Sequence, residues 1–172
     1  MVTVSHTAQL SIADLAAARA LCDASYDDFG DADWDHALGG MHALVHDDGV
    51  LAAHGALVMR RVLHGGRSLR CGYVEAVAVH PNHRRRGHGH RVMAALEELA
   101  PAYDLLALCS SEQGRALYET RGWSLWRGSA SVLTPDGLTP TPEEDSIYVL
   151  GGPANLDRDA AITCDWREGD VW

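Results

Sequence analysis

Residues 72–96 have the sequence Gly-Tyr-Val-Glu-Ala-Val-Ala-Val, then His-Pro-Asn-His-Arg-Arg-Arg-Gly-His-Gly-His, then Arg-Val-Met-Ala-Ala-Leu. The valine-rich first part predicts a β-strand, because β-branched residues favour strands and turn formers bound the run. The last part predicts a helix, since Val92, Met93, Leu96 and Leu99 recur at helical spacing and Pro101 ends the pattern. A strand, a basic glycine-rich loop and a helix therefore follow one another here.

The loop fits the pattern Arg-x-x-Gly-x-Gly at residues 84–89. Backbone amides at a helix start bind anions, glycine allows close approach to a phosphate, and arginine adds forked charged donors. A P-loop is excluded because the chain has no lysine, and the third glycine of a dinucleotide fingerprint is missing. The pattern predicts a pyrophosphate-binding loop, with a solvated basic turn before an ordinary helix as the alternative.

The chain of 172 residues is expected to form one domain, residues 1–172, because this length suffices for a full core. Its 47% hydrophobic and 22% charged residues are typical of a soluble globular protein. No apolar segment approaches transmembrane length and no secretory leader is recognisable. The cysteines fit no zinc or redox spacing. We therefore expect a cytoplasmic protein with no membrane partner.

The net charge of −10 is unevenly distributed. Arginines gather at the loop and between residues 60 and 70, and acids gather at 23–35, at 143–145 and near the C-terminus. A nucleic-acid binder usually shows a broad basic face, so no nucleic-acid partner is expected. One basic patch suits a small polyanion, and the acidic remainder either suits a cationic second substrate or only keeps the protein soluble.

The pattern along the chain predicts an α+β fold with a mixed sheet. A first strand at 3–9 is followed by a helix capped by Ser11. Strands at 41–46, 50–63 and 68–79, separated by Asp-Gly and Gly-Gly turns, predict an antiparallel meander. The helix after the loop leads to a buried strand at 104–109, which predicts a central parallel strand pair. A second helix from Ser110, strands at 123–126 and 146–150, and loops at 134–137 and 139–142 complete the prediction.

Two residues are candidates for proton transfer. Glu75 lies within the central strand, where a carboxylate among valines is costly unless it is paired or used. It is either a general base or the partner of Arg60, Arg61 or Arg70. Tyr118, on the second predicted helix, is either a core residue or a proton donor.

Two acidic segments carry aromatic residues. Six aspartates between residues 23 and 35 are interleaved with Tyr26, Phe29 and Trp34. Asp31 or Asp33 could cap a short helix, or carboxylates and ring faces could form a cleft for a polar cation. The C-terminal segment 164–172 has two tryptophans, so we expect it either to dock in a cleft or to pack in an oligomer, although tails usually fray.

Four histidines, at positions 80, 83, 88 and 90, surround the loop. The chain has no His-Glu-x-x-His pattern and no paired cysteines beside them, which are common signatures of zinc sites. Histidines beside a phosphate site are the simpler interpretation, so we expect no metal.

Four segments together resemble the aminoglycoside 2'-N-acetyltransferases of the GNAT superfamily, whose loop also has the Arg-x-x-Gly-x-Gly pattern. They are Asp-Phe-Gly-Asp-Ala-Asp-Trp-Asp-His-Ala-Leu-Gly-Gly-Met-His-Ala-Leu (28–44), Gly-Tyr-Val-Glu-Ala-Val-Ala-Val (72–79), Leu-Tyr-Glu-Thr-Arg-Gly-Trp (117–123) and Cys-Asp-Trp-Arg-Glu-Gly-Asp-Val-Trp (164–172). The resemblance implies the GNAT fold, with the meander joined to the parallel strand pair and flanked by helices. It also implies transfer of an acetyl group from acetyl-CoA to the 2'-amino group of an aminoglycoside, without a metal.

The same resemblance implies roles for individual residues. Glu75 would be the base, through a water, and Tyr118 the acid that protonates the departing thiolate. Coenzyme A would be held by Val77, Ala78, Val79, Arg84, Arg85, Arg86, Gly87, His88, Gly89 and His90. The polycationic aminosugar would be bound by Asp28, Asp33, an acid of the 143–145 run (Glu144 or Asp145), Asp170 and Trp172.

A homodimer is implied as well. The alternatives are the same chemistry on another small polyamine, aminosugar or protein N-terminus, and a CoA-binding sensor without catalysis.

Overall fold

The computed structural model describes residues 1–143 and 145–172, and Glu144 lies outside the described residues. The chain divides into two compact units. The first unit consists of Met1–Val58 and Val74–Leu99, and the second unit consists of Met59–Tyr73 and Ala100–Trp172. Strands β3 (Val50–His64) and β4 (Arg67–Val79) run through both. The expectation of one domain stays a prediction.

The first unit combines an antiparallel sheet with helices. Strands β1, β2 and β3 pair antiparallel in that order. A two-residue turn joins β2 to β3, with Asp48 at φ 50° and Gly49 at φ 81°, as a tight hairpin requires. The other elements are β1 (Val2–His6), a 3₁₀ turn (Thr7–Gln9), α1 (Ile12–Asp23), α2 (Asp31–Ala37), β2 (Met41–Asp47), a 3₁₀ turn (Pro81–His83) and α3 (His88–Glu97).

Helix α3 packs closely on strand β3. Its apolar residues Val92, Met93 and Leu96 are buried, as the helical spacing predicts. A Cβ atom at Gly55 of β3 would lie 2.6 Å from Val92 Cγ1, so only glycine allows this approach. The helix that carries the glycine-rich loop at its start is thereby fixed against the sheet.

The second unit is a mixed sheet in the order β6-β9-β5-β4-β3-β10-β7-β8. Strands β4 and β5 pair parallel, with Cys71 opposite Leu105 and Tyr73 opposite Ala107, as the sequence predicts. The elements are a 3₁₀ turn (Ala100–Ala102), β5 (Leu105–Cys109), α4 (Arg115–Glu119), β6 (Ser124–Leu125), β7 (Ala130–Thr134), β8 (Gly137–Pro140), β9 (Ile147–Leu150) and β10 (Ile162–Asp165).

Two predictions for the second unit are wrong. Helix α4 begins at Arg115 rather than Ser110, because the Ser110 amide donates to the Ser146 carbonyl at 2.8 Å instead of entering a helix. Residues 139–140, predicted as loop, belong to strand β8. Its Pro140 is tolerated because β8 is the edge strand, where no further ladder bond is needed. Within the described part of the chain, no helix is long and apolar enough to cross a membrane.

Candidate functional site

Strand β4, which runs from Arg67 to Val79, is distorted beside Glu75. Ala76 has φ 50°, in the left-handed region that alanine rarely adopts, so the regular pleat is broken at this position. In a regular strand Glu75 and Val77 would lie on one face, but the distortion at Ala76 ends that alternation. The Glu75 side chain is half-buried, on an irregular part of an otherwise regular strand.

The carbonyl groups that follow this irregularity have partners within the first unit. The Tyr26 hydroxyl donates to the Val77 carbonyl. The Ser25 hydroxyl donates to the Leu21 carbonyl at 2.7 Å and lies 3.4 Å from the Val79 carbonyl. The Ala78 side chain is buried with Leu21 and other core residues. Residues 77–79, which are predicted to contact the cofactor, are thus held against α1 and the residues that follow it by hydrogen bonding and core packing.

The predicted anion-binding loop connects β4 to α3. Gly87 occupies the N-cap of α3 at φ 78°, and Arg85 is also left-handed at φ 61°. Three consecutive arginines, at positions 84–86, are exposed, as are Gly87 and His90, whereas the His88 side chain is buried. Exposed guanidinium groups beside the first amides of a ten-residue helix provide the charge and the donors that an anion needs.

Tyr118 lies on α4 in the second unit. Its side chain is 8% exposed, and its ring packs near those of Trp123 and Tyr148. Burial, followed by the nearby Cys109, raises the pKa of Tyr118 to about 12. The phenol is therefore protonated at neutral pH, as a proton donor must be.

Some of the aspartates in the acidic segment 23–35 have structural roles. The Asp33 carboxylate accepts the Gly30 amide at 2.7 Å and so caps α2. Arg19 bridges Asp23 and Asp31, at 2.8 and 3.0 Å. Asp28 is exposed. The alternative prediction was a cleft in which carboxylates and ring faces bind a cation. Its aromatic part is not supported, because the rings of Phe29 and Trp34 pack against the core.

The C-terminal segment is docked in the second unit, as one of the two expectations predicts. Trp172 is 4% exposed, and its indole N–H donates to Thr141 Oγ1 at 2.9 Å. The buried Arg60 guanidinium donates to the Val171 carbonyl at 2.7 Å and pairs with Asp165. Of the predicted acids, Asp145 and Asp170 are exposed. Glu144 lies outside the described residues.

Thr141→Val should lower the free energy of unfolding by about 1–2 kcal/mol, because it leaves the buried Trp172 indole N–H without its acceptor. Urea unfolding measures this loss. Thr139→Val, at an exposed position of β8, is the matched control. Equal midpoints for the two variants would show that the indole hydrogen bond does not hold the tail.

Two buried histidines of the first unit were missed by the sequence analysis. The Thr7 hydroxyl lies 2.8 Å from His42 Nε2, His42 Nδ1 lies 2.9 Å from His54 Nε2, and His54 Nδ1 lies 3.0 Å from the Ala76 carbonyl. A carbonyl only accepts, so His54 Nδ1 carries a proton. Burial lowers the pKa of both rings to about 4, and with both rings neutral donation runs from Thr7 through His42 and His54 to Ala76. The signal was present, because the hairpin register places His42 and His54 diagonally on neighbouring strands.

The sequence model of the Acetyltransferase (GNAT) family matches residues 10–123, which is more than half of the chain. The chain belongs to the GNAT family of acetyltransferases. An aminoglycoside 2'-N-acetyltransferase of Mycolicibacterium fortuitum is 50% identical to this GNAT chain, over 98% of the chain and 93% of the relative.

Two solved structures share the GNAT fold. A GNAT family acetyltransferase of Brucella melitensis in complex with acetyl-CoA matches with a TM-score of 0.60 and 15% identity, over 91% of this chain and 92% of that one. Eis1 of Mycobacterium abscessus matches with a TM-score of 0.62 and 18% identity, over 76% of this chain. The chain spans only 33% of the length of Eis1. At such low identity these structures establish the fold alone.

Membership of the GNAT family confirms the family resemblance and the α+β fold with a mixed sheet predicted from the sequence. It also confirms that the chain is an acetyltransferase by family. The roles of Glu75, Tyr118 and the ligand-binding residues stay predictions.

Proposed function

We propose that this GNAT protein transfers the acetyl group of acetyl-CoA to the 2'-amino group of aminoglycosides. The observation that carries the proposal is the 50% identity to an aminoglycoside 2'-N-acetyltransferase over 98% of the chain. The alignment covers nearly the whole chain and not only the loop at residues 84–90.

Acetyl transfer needs two proton transfers, and we assign each to one residue. The amine nitrogen attacks the thioester carbonyl carbon, the C–S bond breaks, and the amine must lose a proton. We assign removal of the amine proton to Glu75, acting through a water. We assign protonation of the departing thiolate to Tyr118. The Tyr118 phenol is protonated at neutral pH, as this role requires, although burial raises its pKa to about 12 and so makes it a weaker acid than a free tyrosine.

Ligand binding is assigned to the loop, to strand β4 and to exposed acids. The backbone amides of residues 84–90 would hold the pyrophosphate, and Val77, Ala78 and Val79 would line the pantetheine. The exposed carboxylates of Asp28, Asp145 and Asp170 are available to a polycation. We also assign aminosugar binding to Asp33, which in addition caps α2, to the terminal carboxylate of Trp172 and to Glu144. A homodimer is proposed with this function.

The test is thiol release from acetyl-CoA with a panel of aminoglycosides that carry either an amine or a hydroxyl at the 2' position. We expect release only with the 2'-amino compounds. Absence of release with every aminoglycoside, while acetyl-CoA still binds in calorimetry, would overturn the proposed substrate. Release with both classes would place the acetylated amine elsewhere on the sugar.

A further inference from the structure

Three side chains from separate segments of the first unit meet beside the loop. Asp47 ends β2, His83 ends the 3₁₀ turn Pro81–His83, and His88 opens α3. Asp47 Oδ2 lies 3.3 Å from His83 Nδ1 and 3.3 Å from His88 Nε2. One nitrogen of each ring and one carboxylate oxygen all lie within 4.8 Å of one another.

The imidazole of His88 is an independent indication of a ligand. Its side chain is only 3% exposed. Asp47 is within ion-pair distance, but neither ring nitrogen of His88 makes an aligned hydrogen bond with any of residues 1–143 and 145–172. A buried polar group without a partner costs about 1–3 kcal/mol, so such a group needs a partner. A metal ion would supply one to the nitrogen that faces Asp47.

The ligand set and its spacing suit zinc. Two imidazoles and one carboxylate, with water as a fourth ligand, form a common tetrahedral zinc set. Zinc–ligand bonds of about 2.0–2.1 Å place neighbouring ligand atoms about 3.3–3.5 Å apart in a tetrahedron. The two contacts of Asp47 Oδ2, both 3.3 Å, agree with this spacing.

We propose that Asp47, His83 and His88 bind one divalent transition-metal ion of the zinc type. The alternative is a hydrogen-bonded cluster without an ion, in which Arg86 Nη1, 3.5 Å from Asp47 Oδ2, supplies the positive charge. The Arg86 side chain is 56% exposed, so it can turn to solvent when a cation binds. Asp47 and His83 are themselves partly exposed, which gives an ion a route to the site. A bound ion would join the β2–β3 hairpin to the start of α3.

The test uses the full chain without a histidine tag, stripped of metal with a chelator and titrated with Zn²⁺ by calorimetry. We expect one ion per chain, and a higher melting temperature in the presence of Zn²⁺. Replacing Zn²⁺ by Co²⁺ should give the intense visible absorption of tetrahedral Co²⁺. Asp47→Asn, His83→Ala and His88→Leu should each weaken Zn²⁺ binding by about 10-fold or more.

His90→Ala is the matched control, because His90 is an exposed histidine of the same loop. It should bind Zn²⁺ as the unmodified chain does. Failure of the unmodified chain to bind one ion would overturn the proposal, as would unchanged binding by Asp47→Asn and His83→Ala. Because those two side chains are partly exposed, their variants keep the test valid even if His88→Leu fails to fold. None of these readouts depends on acetyl transfer.

Discussion

Glu75→Gln should lower the turnover of acetyl transfer by about 100-fold or more, while acetyl-CoA binding stays nearly unchanged. Glutamine has almost the volume of glutamate and can still accept hydrogen bonds, but it does not take up a proton at neutral pH. Because the attacking amine must lose a proton, removal of the base slows the chemical step and not the binding of the thioester. Thiol release with a 2'-amino aminoglycoside measures turnover, and calorimetry measures acetyl-CoA binding.

Glu98→Gln, at an exposed position just after α3, is the control and should keep full turnover. Unchanged turnover in Glu75→Gln would show that Glu75 is a structural residue. Two of the arginines considered as its partner, Arg60 and Arg70, pair with Asp165 and Asp104.

Local sequence signals were sufficient for most of the first unit and for the parallel strand pair, but residues 7–9, predicted as the end of the first strand, form a 3₁₀ turn. The Asp-Gly turn at residues 48–49 and the Gly-Gly turn at 65–66 delimit β2, β3 and β4 almost to the residue. Ser11 caps α1 as predicted, with its hydroxyl accepting the Asp14 amide at 3.1 Å. Ile12, however, is exposed although the helical pattern places it with the core residues. The first turn of an amphipathic helix need not lie over the sheet that the rest of the helix covers.

The second unit was harder to predict because its strands are short and depend on distant partners. Strand β10 has four residues and pairs antiparallel with β3 and parallel with β7. Nothing within four residues specifies two such partners. The Thr-Pro-Thr-Pro sequence at 139–142 favours a loop by local preference, and only the edge position of β8 makes a strand possible there.

The candidate site shows the same division between local and distant information. The loop at residues 84–90 was predictable, because Gly87 and the following helix are adjacent in the chain. The left-handed Ala76 was not, because alanine gives no sequence signal for a positive φ. The cluster of Asp47, His83 and His88 was not predictable either. Asp47 and His83 are 36 residues apart, which no local metal-binding pattern covers.

The buried histidine pair connects this irregular strand to the stability of the first unit. Both rings are 0% exposed, and His54 holds the carbonyl of Ala76, next to Glu75. With both rings neutral, every donor in this chain of hydrogen bonds faces an acceptor. Burial lowers the pKa of each from 6.5 to about 4, with His6 lowering that of His42 further and His42 that of His54. Protonation of His54 would leave its donation to the Ala76 carbonyl intact, but it would place a proton on Nε2, the atom that accepts from His42.

Acidification should consequently destabilise the protein between about pH 6.5 and pH 4. In this range the unfolded chain binds protons on both histidines that the folded chain does not, so the free energy of unfolding falls as pH falls. A pKa difference of about 2.5 corresponds to about 3 kcal/mol for the first histidine, and the second adds to it. At pH 7 the loss is absent. Urea unfolding at several pH values measures it.

The double variant His42→Leu/His54→Leu identifies the groups responsible. It should be less stable than the unmodified chain at pH 7, because the Ala76 carbonyl loses its donor. Its stability should nevertheless fall much less between pH 6.5 and pH 4, since it lacks both titrating rings. His90→Gln, which removes an exposed histidine, should keep the steep dependence. An equally steep loss in the double variant would show that other groups cause it, and that neutrality of the pair does not control the stability of the first unit.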